Sequence, residues 1–97
     1  MNESMFFSTD VEIMEGIGAR LRGLRKAQDL TLEQVAERTE LNPSTVVRAE
    51  QGKNPTLQTL TRLLRCYGAL GGLQALVPEP PVSPLAAARA RKGDSGG

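Results

Sequence analysis

The chain has 97 residues, which suits one small domain, and its net charge at pH 7 is only +1. Its aromatic residues are one Tyr and two Phe, so a core must be aliphatic, and that favours packed helices over sheets. The sequence has no His and a single Cys, which removes the commonest general base and any disulfide or metal cluster within one chain. The composition therefore predicts an all-α protein that is not an enzyme and uses no metal, cofactor or small-molecule substrate.

Charge is distributed unevenly along the chain. Residues 1–15 carry four acids and no basic residue, whereas residues 16–55 carry seven basic residues against five acids. This asymmetry points weakly to a polyanionic partner, and a solvated helix face explains it equally well. No apolar run approaches a membrane span, and the N-terminus lacks the basic residues of a signal peptide, so we expect a cytoplasmic protein.

A flexible arm, residues 1–8, is predicted before the first helix. Its residues 5–7 are three consecutive apolar residues whose role we do not assign. Residues 9–12 have the pattern of a capping box, and apolar residues then recur at helical spacing from Ile13 to Leu24. Gly16 and Gly18 each disfavour a helix by about 1 kcal/mol relative to Ala. We therefore expect this helix to bend, or to begin only near Gly16.

Three further helix starts are marked by capping residues. Residues 31–34 form a second capping box, and the helix after it is predicted to end near Thr39. Asn42 followed by Pro43 predicts a third helix, which ends at Gly52. A fourth starts at Thr56 and ends at Gly68, and its predicted inward residues are Leu57, Leu60, Leu63, Leu64 and Tyr67.

A fifth, shorter helix is predicted over residues 72–77, after which four residues contain three prolines. Residues 78–97 are rich in Pro, Ala, Gly, Ser and Arg and cannot bury enough apolar surface to order themselves. We therefore predict a compact five-helix domain over residues 9–77, followed by a disordered tail.

Residues 32–52 predict a helix-turn-helix. Val35 and Ala36 give the first helix an apolar face, and Val46 and Ala49 do the same for the second. Ala36 is small where two steeply crossing helices must approach closely. Such a pair leaves the second helix on the surface, free to enter a major groove of DNA.

The chain from about residue 17 to residue 76 resembles the Cro and phage-repressor (XRE) family of DNA-binding proteins. The resemblance is carried by Ile17, Leu21 and Arg25, residues 30–36, residues 44–52, residues 55–60, and Leu63, Leu64, Tyr67 and Gly68. It implies a lambda-repressor-like fold and a bacterial or phage transcriptional regulator, most simply a repressor.

The resemblance also implies which residues contact DNA. By position, the base-reading candidates are Pro43, Ser44, Val47 and Arg48. The phosphate candidates are Thr31, Asn42, Thr45, Lys53 and Asn54. Arg25 and Glu50 match an internal ion pair of related domains, so we assign them to structure.

The family usually binds palindromic DNA as a homodimer. We assign the dimer face to the apolar residues after the fourth helix, unless they simply cover the monomer's own core: Tyr67, Leu70, Leu73, Leu76 and Val77. An alternative function is the antitoxin of a toxin–antitoxin pair, which represses its own operon and binds the toxin through residues 78–97.

Overall fold

The computed structural model describes residues 8–81, and in this range the chain has five helices and no strand. Helix α1 spans Asp10–Ala27, α2 Leu32–Thr39, α3 Pro43–Glu50, α4 Leu57–Cys66 and α5 Gly71–Leu76. The predicted all-α, five-helix architecture is confirmed. Of the predicted arm and tail, residues 1–7 and 82–97 lie outside the described residues. Within residues 8–81, no helix is long and apolar enough to cross a membrane.

The first two helices begin at the predicted capping boxes. The Thr9 hydroxyl accepts a hydrogen bond from the Glu12 amide at 3.1 Å, and the Glu12 carboxylate accepts one from the Thr9 amide at 3.2 Å. The hydrogen bonds from the amide and hydroxyl of Thr9 hold the pKa of Glu12 below its ordinary value. Helix α1 thus begins at Asp10, not near Gly16, because this box satisfies amides that have no partner inside the helix. Thr31 and Gln34 form the same box at α2.

The turn between α2 and α3 is tight because Glu40 adopts a left-handed conformation, with φ of 59°. The amide of Leu41 then donates to the carbonyl of Ala36 at 3.1 Å, and the Thr39 hydroxyl donates to the carbonyl of Val35 at 2.7 Å. These bonds satisfy the last carbonyls of α2 and direct the chain straight into α3.

The core forms where α1 and α2 pack on α3 and α4 packs on α2 and α3. Within the described part of the chain it consists of eight buried apolar residues: Leu21, Leu30, Val35, Ala36, Val46, Ala49, Leu63 and Tyr67. The prediction that Leu57 of α4 faces inward is wrong, since Leu57 is 61% exposed. Leu57 is the first residue of α4, so its side chain lies past the edge of the core.

Two glycines let α1 cross the end of α3 with backbone against backbone. A Cβ atom on Gly18 would lie 2.5 Å from the Glu50 carbonyl oxygen and 2.7 Å from the Gly52 amide nitrogen. A Cβ atom on Gly52 would lie 2.6 Å from the Met14 carbonyl oxygen, and Gly52 has a φ of +71°. No larger residue fits either position without moving α1 away from α3.

The segment assigned to a dimer face divides into two parts. Tyr67 is only 5% exposed and belongs to the monomer's core, so assigning it to the dimer face was wrong. It caps the C-terminus of α4, where its ring turns inward. Leu70, Leu76 and Val77 are 38%, 53% and 77% exposed, and α5 packs only loosely on the other helices.

Candidate nucleic-acid interface

Helix α3 presents opposite faces to the core and to solvent. Val46 and Ala49 are buried, and they anchor the helix to α1, α2 and α4. Pro43, Ser44 and Arg48 are exposed, while Thr45 and Val47 are partly exposed. The helical period explains the division, since residues 46 and 49 are three apart and so share one face. The predicted base-reading residues therefore lie on the solvent side of α3.

The N-terminus of α3 is closed by its cap. The side-chain oxygen of Asn42 accepts a hydrogen bond from the Ser44 amide at 3.4 Å and from the Ser44 hydroxyl at 3.2 Å. Pro43 occupies the first helical position, where its missing N–H costs nothing. The Ser44–Asn42 bond is local and exposed, so the hydroxyl can turn from it toward a base or a phosphate at small cost.

One side of α3 borders a cleft that we call the loop-side cleft. Its walls include Thr45 and Arg48 of α3 and Lys53 and Asn54 of the following loop. The Lys53 amide donates to the Arg48 carbonyl at 3.0 Å, which holds the loop against the end of the helix. Neither cation forms an ion pair with an acid among residues 8–81. Four of the predicted DNA contacts thus come together here, and the two cations among them have no ion-pair partner within residues 8–81.

The other side of α3 borders a second cleft, which we call the α1-side cleft. Six residues line it: Arg22, Arg25, Leu32, Val47, Glu50 and Gln51. Leu32 is the first residue of α2 and directly follows the cap residue Thr31. Val47 is the predicted base-reading residue that faces this side.

The predicted ion pair between Arg25 and Glu50 is confirmed and lies in the wall of the α1-side cleft. The Arg25 Nε donates to Glu50 Oε2 at 2.6 Å, Nη2 donates to Oε1 at 3.1 Å, and Nη1 donates to the Leu30 carbonyl at 2.9 Å. The hydrogen bond to Glu50 raises the pKa of Arg25 above its ordinary value. Because all three nitrogens are engaged, Arg25 joins α1, the start of α2 and the end of α3 instead of facing solvent.

Two polar residues of the α1-side cleft, Arg22 and Gln51, were not among the predicted contacts. Arg22 precedes Arg25 by three residues on α1, so both lie on the helix face directed at α3. Since the sequence already assigned Arg25 to a contact with Glu50 of α3, this three-residue spacing could have placed Arg22 on the same side of α1.

The described residues around α3 present the kinds of groups that contact nucleic acid. We call Pro43, Ser44 and Arg48 the exposed ridge of α3. The two clefts and this ridge combine cations, hydroxyls and amides, which are the groups that contact nucleic acid. Within residues 8–81, no group of His, Cys, Asp and Glu side chains is placed to hold a metal ion.

Comparison with known proteins agrees with this geometry. A family model described as "Helix-turn-helix domain" matches residues 17–77, which is well over half of the chain and includes α2, α3, α4 and α5. No curated protein matches the chain. With α3 exposed after a tight turn and this match across the fold, the chain belongs to the helix-turn-helix domain family of DNA-binding proteins, in its XRE/Cro-like group.

Proposed function

We propose that this protein is a transcriptional repressor that binds a palindromic operator as a homodimer. The observation that carries the proposal is the exposed side of α3 and of the loop after it, where Arg48 and Lys53 have no acidic partner among residues 8–81. A recognition helix needs such a surface, because base edges and phosphates must replace water around it. Repression then follows from occupying the operator and excluding polymerase.

Dimerisation is proposed because of the apolar surface around α5. Leu70, Leu76 and Val77 expose much of their side chains, and the groove beneath α5 is lined by leucines of α1 and α4. An exposed apolar surface of this kind in a small domain is typical of an interaction site. A second copy on this face gives a two-fold dimer, whose two α3 helices reach half-sites about one helical turn apart.

The DNA-binding part is tested by mobility shift on the DNA upstream of the protein's own gene, at several salt concentrations. Arg48→Ala should weaken binding about tenfold or more, because a charge-assisted contact is lost. Arg65→Ala is the matched control, since Arg65 is an exposed arginine of α4 outside both clefts. No binding by the wild type at low salt would contradict repression of its own gene.

The dimer part is tested by sedimentation analysis. Leu76→Asp should yield monomers, because an ionised carboxylate is costly to bury in an apolar interface. Leu57→Asp is the control, since Leu57 is a leucine of similar exposure at the first position of α4 that does not line the groove under α5. A wild-type monomer, or equal behaviour of the two variants, would contradict a dimer through α5. The antitoxin alternative depends on residues 78–97, most of which lie outside the described residues, so it stays a prediction from the sequence.

A further inference from the structure

Arg22 lies where α1 approaches the recognition helix. It shares one face of α1 with Gly18 and Arg25, which precede and follow it by four and three residues. Gly18 touches the Glu50 backbone and Arg25 binds the Glu50 side chain, so both ends of this stripe are fixed to α3. Arg22 is therefore held at a defined position beside α3, although its own side chain is exposed.

The guanidinium of Arg22 is the uncompensated charge of the α1-side cleft. Among the described residues, Glu50 supplies the only carboxylate that lines the cleft, and it accepts from Arg25 through both oxygens. Arg22 has no ion pair with any acid among residues 8–81. The cleft is open, has a volume of about 260 Å³, and also carries the exposed amide side chain of Gln51. It therefore offers hydrogen-bond donors and one full positive charge to a ligand that supplies acceptors.

The two clefts flank α3 as two phosphate strands flank a helix in a major groove. An α-helix with its side chains is about 10–12 Å across, and the major groove is about 12 Å wide. A helix that fills the groove therefore has a sugar-phosphate strand on each side. Arg48 and Lys53 lie on the loop side, whereas the α1 side has no cation among the predicted contacts.

We propose that Arg22 binds a phosphodiester of the DNA strand on the α1 side of the recognition helix. This inference rests on the proposed DNA binding and adds a third element, α1, to the interface. A phosphate contact fixes the position of α3 in the groove and carries no sequence information. Arg22 thus contributes to affinity for any duplex, operator or not.

The test compares Arg22→Ala with Arg65→Ala, which removes the same charge outside both clefts. Affinity is measured across a salt series for the upstream DNA and for a scrambled duplex of equal length. Arg22→Ala should weaken binding to both duplexes by a similar factor, about tenfold. It should also reduce the slope of log affinity against log salt by about 0.9 per protomer. Arg22→Lys should restore the slope, since it restores the charge.

The outcomes separate this inference from the proposed function. If the wild type binds but Arg22→Ala and Arg65→Ala weaken binding equally, Arg22 makes no phosphate contact and the inference alone is overturned. If Arg22→Ala weakens binding only to the upstream DNA, Arg22 reads a base, which also overturns it. A wild type that binds neither duplex overturns the proposed function, and the inference with it. Thermal unfolding by circular dichroism checks that each variant is folded.

Discussion

Gly18 and Glu50 touch through their backbones, with no room for a side chain on Gly18. A Cβ atom there would lie 2.5 Å from the Glu50 carbonyl oxygen, well inside van der Waals contact. The atoms it would meet are backbone atoms of α3 and of the turn after it, which cannot swing aside as a side chain can. This contact sets how closely α1 approaches the recognition helix.

The first prediction compares two glycines of α1. Gly16→Ala should raise the free energy of unfolding by about 0.5–1 kcal/mol, because no atom of residues 8–81 lies within 4 Å of the new methyl group and Ala is the better helix former. Gly18→Ala should lower it by about 1–3 kcal/mol, because the methyl group forces α1 and α3 apart. Urea unfolding followed by circular dichroism measures both. Equal effects at the two positions would show that α1 and α3 are not in close contact.

The second prediction concerns the Arg25–Glu50 pair. Arg25→Ala should lower the free energy of unfolding by about 3–5 kcal/mol, because it leaves the Glu50 carboxylate buried without its partner. The double variant Arg25→Met, Glu50→Leu should lose less than Arg25→Ala, since it removes both charges and keeps the volume filled. Denaturant unfolding of both variants tests this. A double variant less stable than Arg25→Ala would mean that the pair itself, not the orphaned charge, dominates.

The third prediction concerns the hydroxyl group of Tyr67. It is buried and has no hydrogen-bond partner among residues 8–81. Tyr67→Phe should therefore raise the free energy of unfolding by about 1 kcal/mol, because an unsatisfied buried hydroxyl is removed while the ring is kept. Tyr67→Ala is the control and should lower it by about 3–5 kcal/mol through loss of the ring. A destabilised Tyr67→Phe variant would reveal a partner for the hydroxyl.

The fourth prediction concerns the ionisation of the same residue. Burial, aided by the negative charge of Glu50, raises the pKa of Tyr67 to about 12. The unfolded chain releases this proton near pH 10, so between about pH 10 and 12 the folded state binds more protons and stability falls as pH rises. The stability that the raised pKa of Tyr67 contributes to the folded state is fully present below pH 10. The chain has one Tyr and no Trp, so the near-ultraviolet absorbance of phenolate reports this group alone. A midpoint near pH 10 in the folded protein would contradict the prediction, and Tyr67→Phe should lack the corresponding loss of stability.

Most starts and ends of the helices were predictable because their causes are local, although the glycines of α1 wrongly suggested a start near Gly16. A threonine or asparagine cap needs only the amides two or three residues ahead, as at Thr9, Thr31 and Asn42. Gly52 and Gly68 end helices through their own φ angles. The ion pair of Arg25 and Glu50 spans 25 residues, and it was found through resemblance to a family, not through any local rule.

The wrong or missing predictions concern residues whose surroundings depend on how the helices pack against one another. Helical spacing puts Leu57 on the same stripe as Leu60, but it does not say where the neighbouring helices end. The apolar residues from Tyr67 onward predicted a buried surface, but their pattern does not say what buries each of them. Tyr67 lies in the monomer's core, whereas Leu76 remains exposed. Arg22 was missed because its neighbours are distant in sequence and meet it only through the crossing of α1 and α3.

The division of α3 into a buried face and an exposed ridge bears on how new binding specificities arise. Val46, Ala49 and Glu50 hold the helix in place, whereas Pro43, Ser44 and Arg48 are exposed to solvent. Substitutions on the ridge therefore leave the fold almost undisturbed, since exposed positions usually change stability by less than about 0.5 kcal/mol. The fold can therefore accept substitutions at a few exposed positions of α3, while the glycines and the ion pair behind them stay fixed.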